Sequence, residues 1–473
     1  MSTAGATDGS GQHATARVVL ISAAAALGGF LFGFDTAVIN GAVDAIRVSF
    51  TLDAAQTGFA VSCALLGSAL GAWYAGMLAN RLGRVRTMQV AAALLVASAL
   101  GSGLAAGVWN LILWRLVGGI GVGVASVIAP TYIAEVSPAY IRGRLGSMQQ
   151  LAIVLGIFTA LLSDSWLAGA AGGASHGLWL GLAAWRWMFL AATVPALIYG
   201  SLVLAVPESP RYLVAKGRLG EAKDVLRQVL DMHSDVALDS KLHDIEDSLR
   251  SEHPPRLSDL RGKAAGLLPV VWIGILLSVF QQFVGINVIF YYSSTLWHSV
   301  GFSEADSFKI TVATSVVNVL VTLVAIALVD RIGRKPLLTI GSAGMAVTLA
   351  TMAWCFSQAT GSGATLSLPG ATGIVALVAA NAYVVFFGVS WGPVVWVLLG
   401  EMFPNRIRAT ALAVAAAAQW LANFAITSSF PALAEIGLTF AYGLYAGFAL
   451  LSLLFVLYAV RETKGIELED MRA

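Results

Sequence analysis

The sequence predicts an all-α membrane protein: twelve transmembrane helices in two six-helix repeats, with a helical cytoplasmic insert between them. Three observations carry that expectation. The chain is 58% hydrophobic and only 11% charged, with mean hydropathy +0.80, where soluble domains carry about 25% charged residues. Twelve apolar stretches reach the roughly 20 residues needed to cross ~30 Å of hydrocarbon. The charged motifs after the second and fourth stretches recur after the eighth and tenth.

The stretches centre near Leu27, Leu66, Leu95, Gly121, Leu155 and Pro195 in the first half, and near Gln281, Leu320, Ala346, Phe387, Ala417 and Ser452 in the second. Residues 1–16 are small and polar and read as a disordered tail. The apolar run after Arg17 is too long for a signal-peptide core. Residues 17–206 then form one six-helix bundle and residues 265–460 the other. Residues 207–264 form a charged linker in which residues 219–229 read as amphipathic helix, and residues 461–473 form a short tail.

An even number of crossings puts both termini on one side, and charge says which. Arg81, Arg84 and Arg86 follow segment two, and Arg142 and Arg144 follow segment four. Arg331, Arg334 and Lys335 follow segment eight, and Arg406 and Arg408 follow segment ten. The intervening loops hold few cations, and residues 360–371 hold none. Positive-inside counting therefore places both termini in the cytoplasm.

The repeat is visible residue by residue. Arg81-Leu82-Gly83-Arg84 is answered by Asp330-Arg331-Ile332-Gly333-Arg334-Lys335. Glu135, with Arg142 seven residues later, is answered by Glu401 with Arg408. A duplicated six-helix unit is the architecture of many secondary transporters, whose sites lie near the midplane between repeats.

Other classes are disfavoured. A net charge of +2 with six scattered histidines leaves no nucleic-acid footprint. No metal-ligand cluster and no Ser/His/Asp constellation is evident, so neither an enzyme nor a bound cofactor is expected. Cys63 and Cys355 lie far apart in apolar spans, which argues against a structural disulfide.

The segment-seven stretch Gln281-Gln282-Phe283-Val284-Gly285-Ile286-Asn287-Val288-Ile289-Phe290-Tyr291-Tyr292 is the polar anomaly. An unpaired amide in an apolar medium costs roughly 2–7 kcal/mol, so these carboxamides need partners. Gln281 and Asn287 are about 600° apart on a helix and not co-facial unless Gly285 distorts it. Amides that donate and accept beside aromatic rings suit a neutral polyhydroxylated ligand; hydrogen bonding between helices is the alternative. Gly392-Pro393 should kink segment ten, since proline removes a helical hydrogen bond.

Asp35 lies deep in segment one, and intramembrane carboxylates are functional candidates by default. Arg115 of segment four is its natural partner. Counting from the outer ends gives depths of roughly 14 Å for Asp35 and 8 Å for Arg115, so the two should meet in the outer half. Burial disfavours the charged carboxylate and a guanidinium favours it, and a switch between such environments is what proton coupling requires.

The chain after Arg17 resembles the sugar porter family of the major facilitator superfamily. The resemblance rests on Arg81-x-Gly83-Arg84, Pro207-Glu208-Ser209-Pro210-Arg211, Gln281-Gln282-x-x-Gly285-Ile286-Asn287, Asp330-Arg331-x-Gly333-Arg334-Lys335 and Glu462-Thr463-Lys464-Gly465, in that order. Asn80 stands where many members carry Asp, and Arg461 stands in place of the usual Pro. The resemblance implies a sugar site from Gln150, Gln281, Gln282, Asn287, Asn318, Trp396, Gln419, Trp420 and Asn423, with Phe387 among the lining residues. Tyr291 and Tyr292 would form its outer cover, or else pack on segment one.

Proton-coupled members of that family carry Asp at the Asp35 position and many facilitators carry Asn. The resemblance thus implies a monosaccharide–proton symporter of the bacterial inner (plasma) membrane, monomeric in the lipid bilayer. A facilitator using the same site, or a sugar sensor that does not transport, are the alternatives. Arg84, Arg142, Arg334 and Arg408 are expected to pair with Glu135, Glu208, Asp330 and Glu401 as a cytoplasmic gate that inward opening breaks.

Overall fold

The computed structural model describes residues 8–137, 142–230, 234–251, 257–262, 266–360, 367–404 and 407–463. Among them, twelve helices are long and apolar enough to cross a membrane, from Arg17–Ser49 to Leu438–Ala459. Those that position the site are segments one (Arg17–Ser49), two (Ala54–Leu82), four (Val108–Val136), five (Met148–Ala171), seven (Pro269–Ser299), eight (Glu304–Leu328), ten (Thr372–Met402) and eleven (Thr410–Ile436). The first helix begins at Asp8. The expected disordered tail is therefore corrected over residues 8–16, where each residue adds a hydrogen bond to a helix already nucleated; residues 1–7 lie outside the described residues.

Local chemistry sets the ends. Segment two starts with a capping box: Asp53 accepts from the Gln56 amide at 2.7 Å, and the Gln56 side chain accepts from the Asp53 amide at 3.1 Å, which satisfies two otherwise orphaned donors.

Four segments are broken along their length; segment six is interrupted at Ala192, between Ala184–Ala191 and Thr193–Leu204, and the other three bear on the site. Segment one turns at Val38, between a helix ending at Ala37 and one at Ile39–Ser49. Segment seven breaks at Val284 and Gly285, between Pro269–Phe283 and Ile286–Ser299. Segment ten breaks at Ser390, between Thr372–Val389 and Trp391–Met402. The last break follows from Pro393: lacking an N–H, it leaves the Val389 carbonyl, four residues back, without its helical donor.

The two six-helix halves meet along segments two and eleven and along segments five and eight. A Cβ on Gly58 of segment two would collide with the Ser428 carbonyl of segment eleven, so backbone packs on backbone there. The first and last described residues and the insert lie at one end of the bundle, called here the terminal end. At the opposite, far end, one apolar cluster runs through the second half and into Val38, Ile39, Leu111 and Trp185 of the first. At the terminal end the first half has a cluster of its own. The structure is thus closed at its far end.

The insert forms helices at Pro210–Ala215, Leu219–Leu230 and Asp235–Ser251. Leu213, Leu226 and Leu238 bury themselves in the same cluster as Met88 and Tyr132 of the first half. Its polar face is solvated: Arg218 holds the exposed Glu221 carboxyl below its usual range through a hydrogen-bonded pair.

Candidate functional site

The break in segment seven answers the question of partners for its amides. Gly285 takes φ +87°, a left-handed conformation that costs other residues roughly 1–2 kcal/mol, and a Cβ there would lie 2.9 Å from the Tyr445 ring. The Val284 carbonyl freed by the break accepts from the Tyr383 hydroxyl at 2.7 Å. The re-aimed helix brings Asn287 to Gln282: its Nδ2 donates to Gln282 Oε1 at 2.5 Å. Gln282 Nε2 donates to Gln281 Oε1 at 3.4 Å, and Gln281 Nε2 donates to the Trp391 and Gly392 carbonyls at 2.7 and 3.3 Å. One chain of carboxamides thereby joins the breaks of segments seven and ten.

The remaining expected sugar-site residues differ in burial and partners. Tyr291 is buried beside Asn423 of segment eleven, near Asp35 and Arg115. Asn423 Oδ1 accepts from Thr427 Oγ1 at 3.0 Å. Tyr292 turns from segment one to segment eleven: its hydroxyl donates to the Thr427 carbonyl at 3.0 Å and its ring lies 5.0 Å from Phe430. Trp420 spans the halves, 5.6 Å from the Phe32 ring of segment one. The Phe387 ring folds toward Gly392, 3.5 Å from where a Cβ would sit. Among the described residues, Gln419 Oε1 is buried without a hydrogen-bond partner. Gln150 is half-buried, Asn318 is buried and Trp396 is 44% exposed; among the described residues, none of these three bonds directly to the amide chain.

Asp35 and Arg115 meet. Arg115 Nη1 lies 3.6 Å from Asp35 Oδ2 and donates to the Asp35 carbonyl at 3.1 Å, while Nη2 donates to the Val61 carbonyl at 3.4 Å. The guanidinium also lies 5.7 Å from the centre of the Phe189 ring. The expected depth is corrected: segment one continues to Ser49, so Asp35 stands near its middle. Asn40, beyond Asp35, is hydrogen-bonded to segment seven.

The terminal-end charges form two matching clamps. Arg84 Nε and Nη2 donate to Glu135 at 2.9 and 2.8 Å, and Arg334 Nε and Nη2 donate to Glu401 at 3.1 and 2.7 Å. Glu208 accepts from the Arg84 and Val85 amides at 2.9 and 3.3 Å; Glu462 accepts from the Arg334 and Lys335 amides at 3.1 and 3.0 Å. Each carboxylate caps the positive start of a helix. Each comes so close because the preceding residue is a glycine, Gly83 or Gly333, at φ +97° or +104°.

These pairs lie within each half and are intact in a structure closed at the far end, because a bidentate arginine and a capped helix start need only partners from their own bundle. Two of the expected pairs, Arg84–Glu135 and Arg334–Glu401, are therefore present. Arg408 Nε donates to the Phe403 carbonyl at 3.1 Å. The side chains of Arg142 and Asp330 lie outside the described residues.

Sequence reasoning gave no role to four residues that the structure places at these junctions: Asn40, Asp164, Tyr383 and Glu462. The first two are polar residues inside apolar segments, the signal by which Asp35 was found. Tyr383 carries no such signal. Cys63 and Cys355 are buried free thiols in different halves, and no metal-binding group occurs among the described residues.

Comparisons with known proteins agree with this architecture. The family model described as sugar (and other) transporter matches residues 21–473. The chain is 58% identical over 456 residues to a glucose transport protein of Synechocystis sp., covering 96% of this chain and 97% of that one. It is 37% identical over 500 residues to the D-xylose-proton symporter of Escherichia coli, covering 98% and 96%. A solved structure of the E. coli xylose transporter in a partially occluded inward-open conformation superposes with TM-score 0.82 at 37% identity, covering 96% of this chain and 100% of that one. With its twelve spans, its duplicated clamps and a match along nearly its whole length, the chain belongs to the sugar (and other) transporter family.

Proposed function

We propose that this protein is a multi-pass transporter, not an enzyme, that imports a monosaccharide, hexose or pentose, by proton symport through alternating access. The observation that carries the reading is the junction at Tyr291. It lies beside Asn423 on the sugar side and near the buried Asp35–Arg115 pair on the other. A sugar that draws on Asn423 and a proton that binds Asp35 would act on the same side chain. The relatives named glucose transport protein and D-xylose-proton symporter support both ligands.

In this reading the amides Gln281, Gln282 and Asn287, with Gln150, Asn318, Gln419 and Asn423, hold sugar hydroxyls. Trp396, Trp420 and Phe387 offer apolar faces to its C–H groups. The terminal end faces the cytoplasm of a bacterial inner-membrane protein, as positive-inside counting supports, and the conformation is inward-facing. Residues 17–206 and 265–460 are the two bundles, residues 207–264 a linker carried by the first, and the monomer suffices.

The test is the pH of the medium around de-energised cells given a panel of hexoses and pentoses. Alkalinisation with one sugar supports symport and names the substrate. Labelled-sugar uptake without a pH change refutes symport in favour of a facilitator with the same site, and binding without uptake makes the protein a sensor.

A further inference from the structure

Asp164 of segment five is fully buried, and among the described residues no salt bridge reaches it. Its Oδ1 has no hydrogen-bond partner. Its Oδ2 accepts a single bond, from the Gly41 amide at 3.3 Å. Placing a carboxyl in an apolar bundle for one hydrogen bond is unfavourable, and a leucine would fill the same space without that cost. The explanation lies in what Gly41 belongs to.

Segment one breaks at Val38, and a helix break exposes carbonyls on one side and amides on the other, with opposite partial charges. Arg115 answers the carbonyl side, donating to Asp35 O at 3.1 Å. Asp164 answers the amide side: Gly41 is the third residue of the helix Ile39–Ser49. The two side chains approach the break from different segments, four and five, a donor at the carbonyl end and an acceptor at the amide end.

The next residue back is the far-end closure itself. Asn40 Nδ2 donates to the Phe290 carbonyl of segment seven at 2.9 Å. Ser294 of segment seven donates to Asn40 through its amide at 3.2 Å and through its hydroxyl at 2.7 Å. Contact at Asp164 is tight, since a Cβ on Gly41 would lie 2.7 Å from the Asp164 Cβ.

We propose that Asp164 is a positioning residue for the far gate. By accepting the Gly41 amide it sets the angle between the two parts of segment one and so aims Asn40 at segment seven; opening of the far end breaks this bond. The proposal rests on the alternating-access reading above but not on sugar or proton identity.

Spin labels at Val48→Cys and Ala305→Cys, both exposed at the far end of opposite halves, report the closure by electron–electron distance in lipid nanodiscs. The background is Cys63→Ser with Cys355→Ser. Asp164→Asn keeps an acceptor oxygen and should retain the short distance of the parent. Asp164→Leu, and independently Gly41→Ala, should raise the long-distance population about tenfold, the change expected for loss of one hydrogen bond. If one of these two fails to fold to a monodisperse protein, the other decides.

Parent-like distances in the folded variants overturn the proposal, as does a lengthening in Asp164→Asn equal to that in Asp164→Leu. The measurement needs neither sugar nor a gradient. A failure of the symport reading shows separately, as the absence of a pH change with the parent protein.

Discussion

Replacing Asp35 by asparagine removes the charge from the buried pair while keeping its shape. At 3.6 Å and an effective dielectric constant of about 20, the gross attraction to Arg115 is about 5 kcal/mol. Burying each ion costs several kcal/mol, so the two effects are of one size and the net worth of the pair is small. Arg115 keeps its bonds to the Asp35 and Val61 carbonyls in the variant, so the fold should persist. What is lost is the titration.

With one proton per sugar, an inward gradient of one pH unit sustains about tenfold accumulation, one unit being 1.36 kcal/mol. Proteoliposomes of the Asp35→Asn variant should accumulate labelled sugar to a ratio of about one under that gradient, yet exchange it in counterflow at a rate near that of the parent. Tenfold accumulation by the variant would refute proton coupling through Asp35. Loss of counterflow as well would mean that the residue binds sugar or holds the fold.

Gln281→Leu cuts the amide chain from the Trp391 and Gly392 carbonyls and should raise the counterflow KM about tenfold; an unchanged KM would take the chain out of the sugar site. Gly285→Ala must hold φ +87° beside Tyr445, a strain of about 1–2 kcal/mol that should appear as a lowered thermal unfolding temperature. Glu462→Ala and Glu208→Ala each remove a cap worth about 1 kcal/mol. Hydrogen exchange should speed up at Arg334 and Lys335 in the first and at Arg84 and Val85 in the second, and exchange at parent rates would deny the capping role.

Much of this molecule is legible from its sequence because lipid is a strict solvent. Hydropathy alone separates the segments, and any polar residue that remains within one must be explained, which is why Asp35 and the Gln281–Asn287 stretch stand out. The breaks are harder to read. Pro393 announces its own, but Val38 carries no mark, and only Gly285 hints at the turn that brings Asn287 to Gln282. Tertiary partners are harder still. Charge spacing offered Glu135 and Glu401 as partners for Arg84 and Arg334, and the structure holds both pairs, but that each lies within its own half depends on packing that spacing does not encode. Asp164 has a short polar side chain between two serines, which reads as a helix surface until segment one is seen against it.

The clamps at Arg84 and Arg334 have one consequence beyond holding helices together. Because each guanidinium is neutralised by a carboxylate that travels with it, tilting one half against the other separates no opposite charges at these points. Little electrostatic work is then done along that seam, and ionic screening has little there to act on. Conformational exchange should therefore proceed at nearly the same pace in dilute and concentrated salt, with its bias left to the ligands and to the contacts at Asn40.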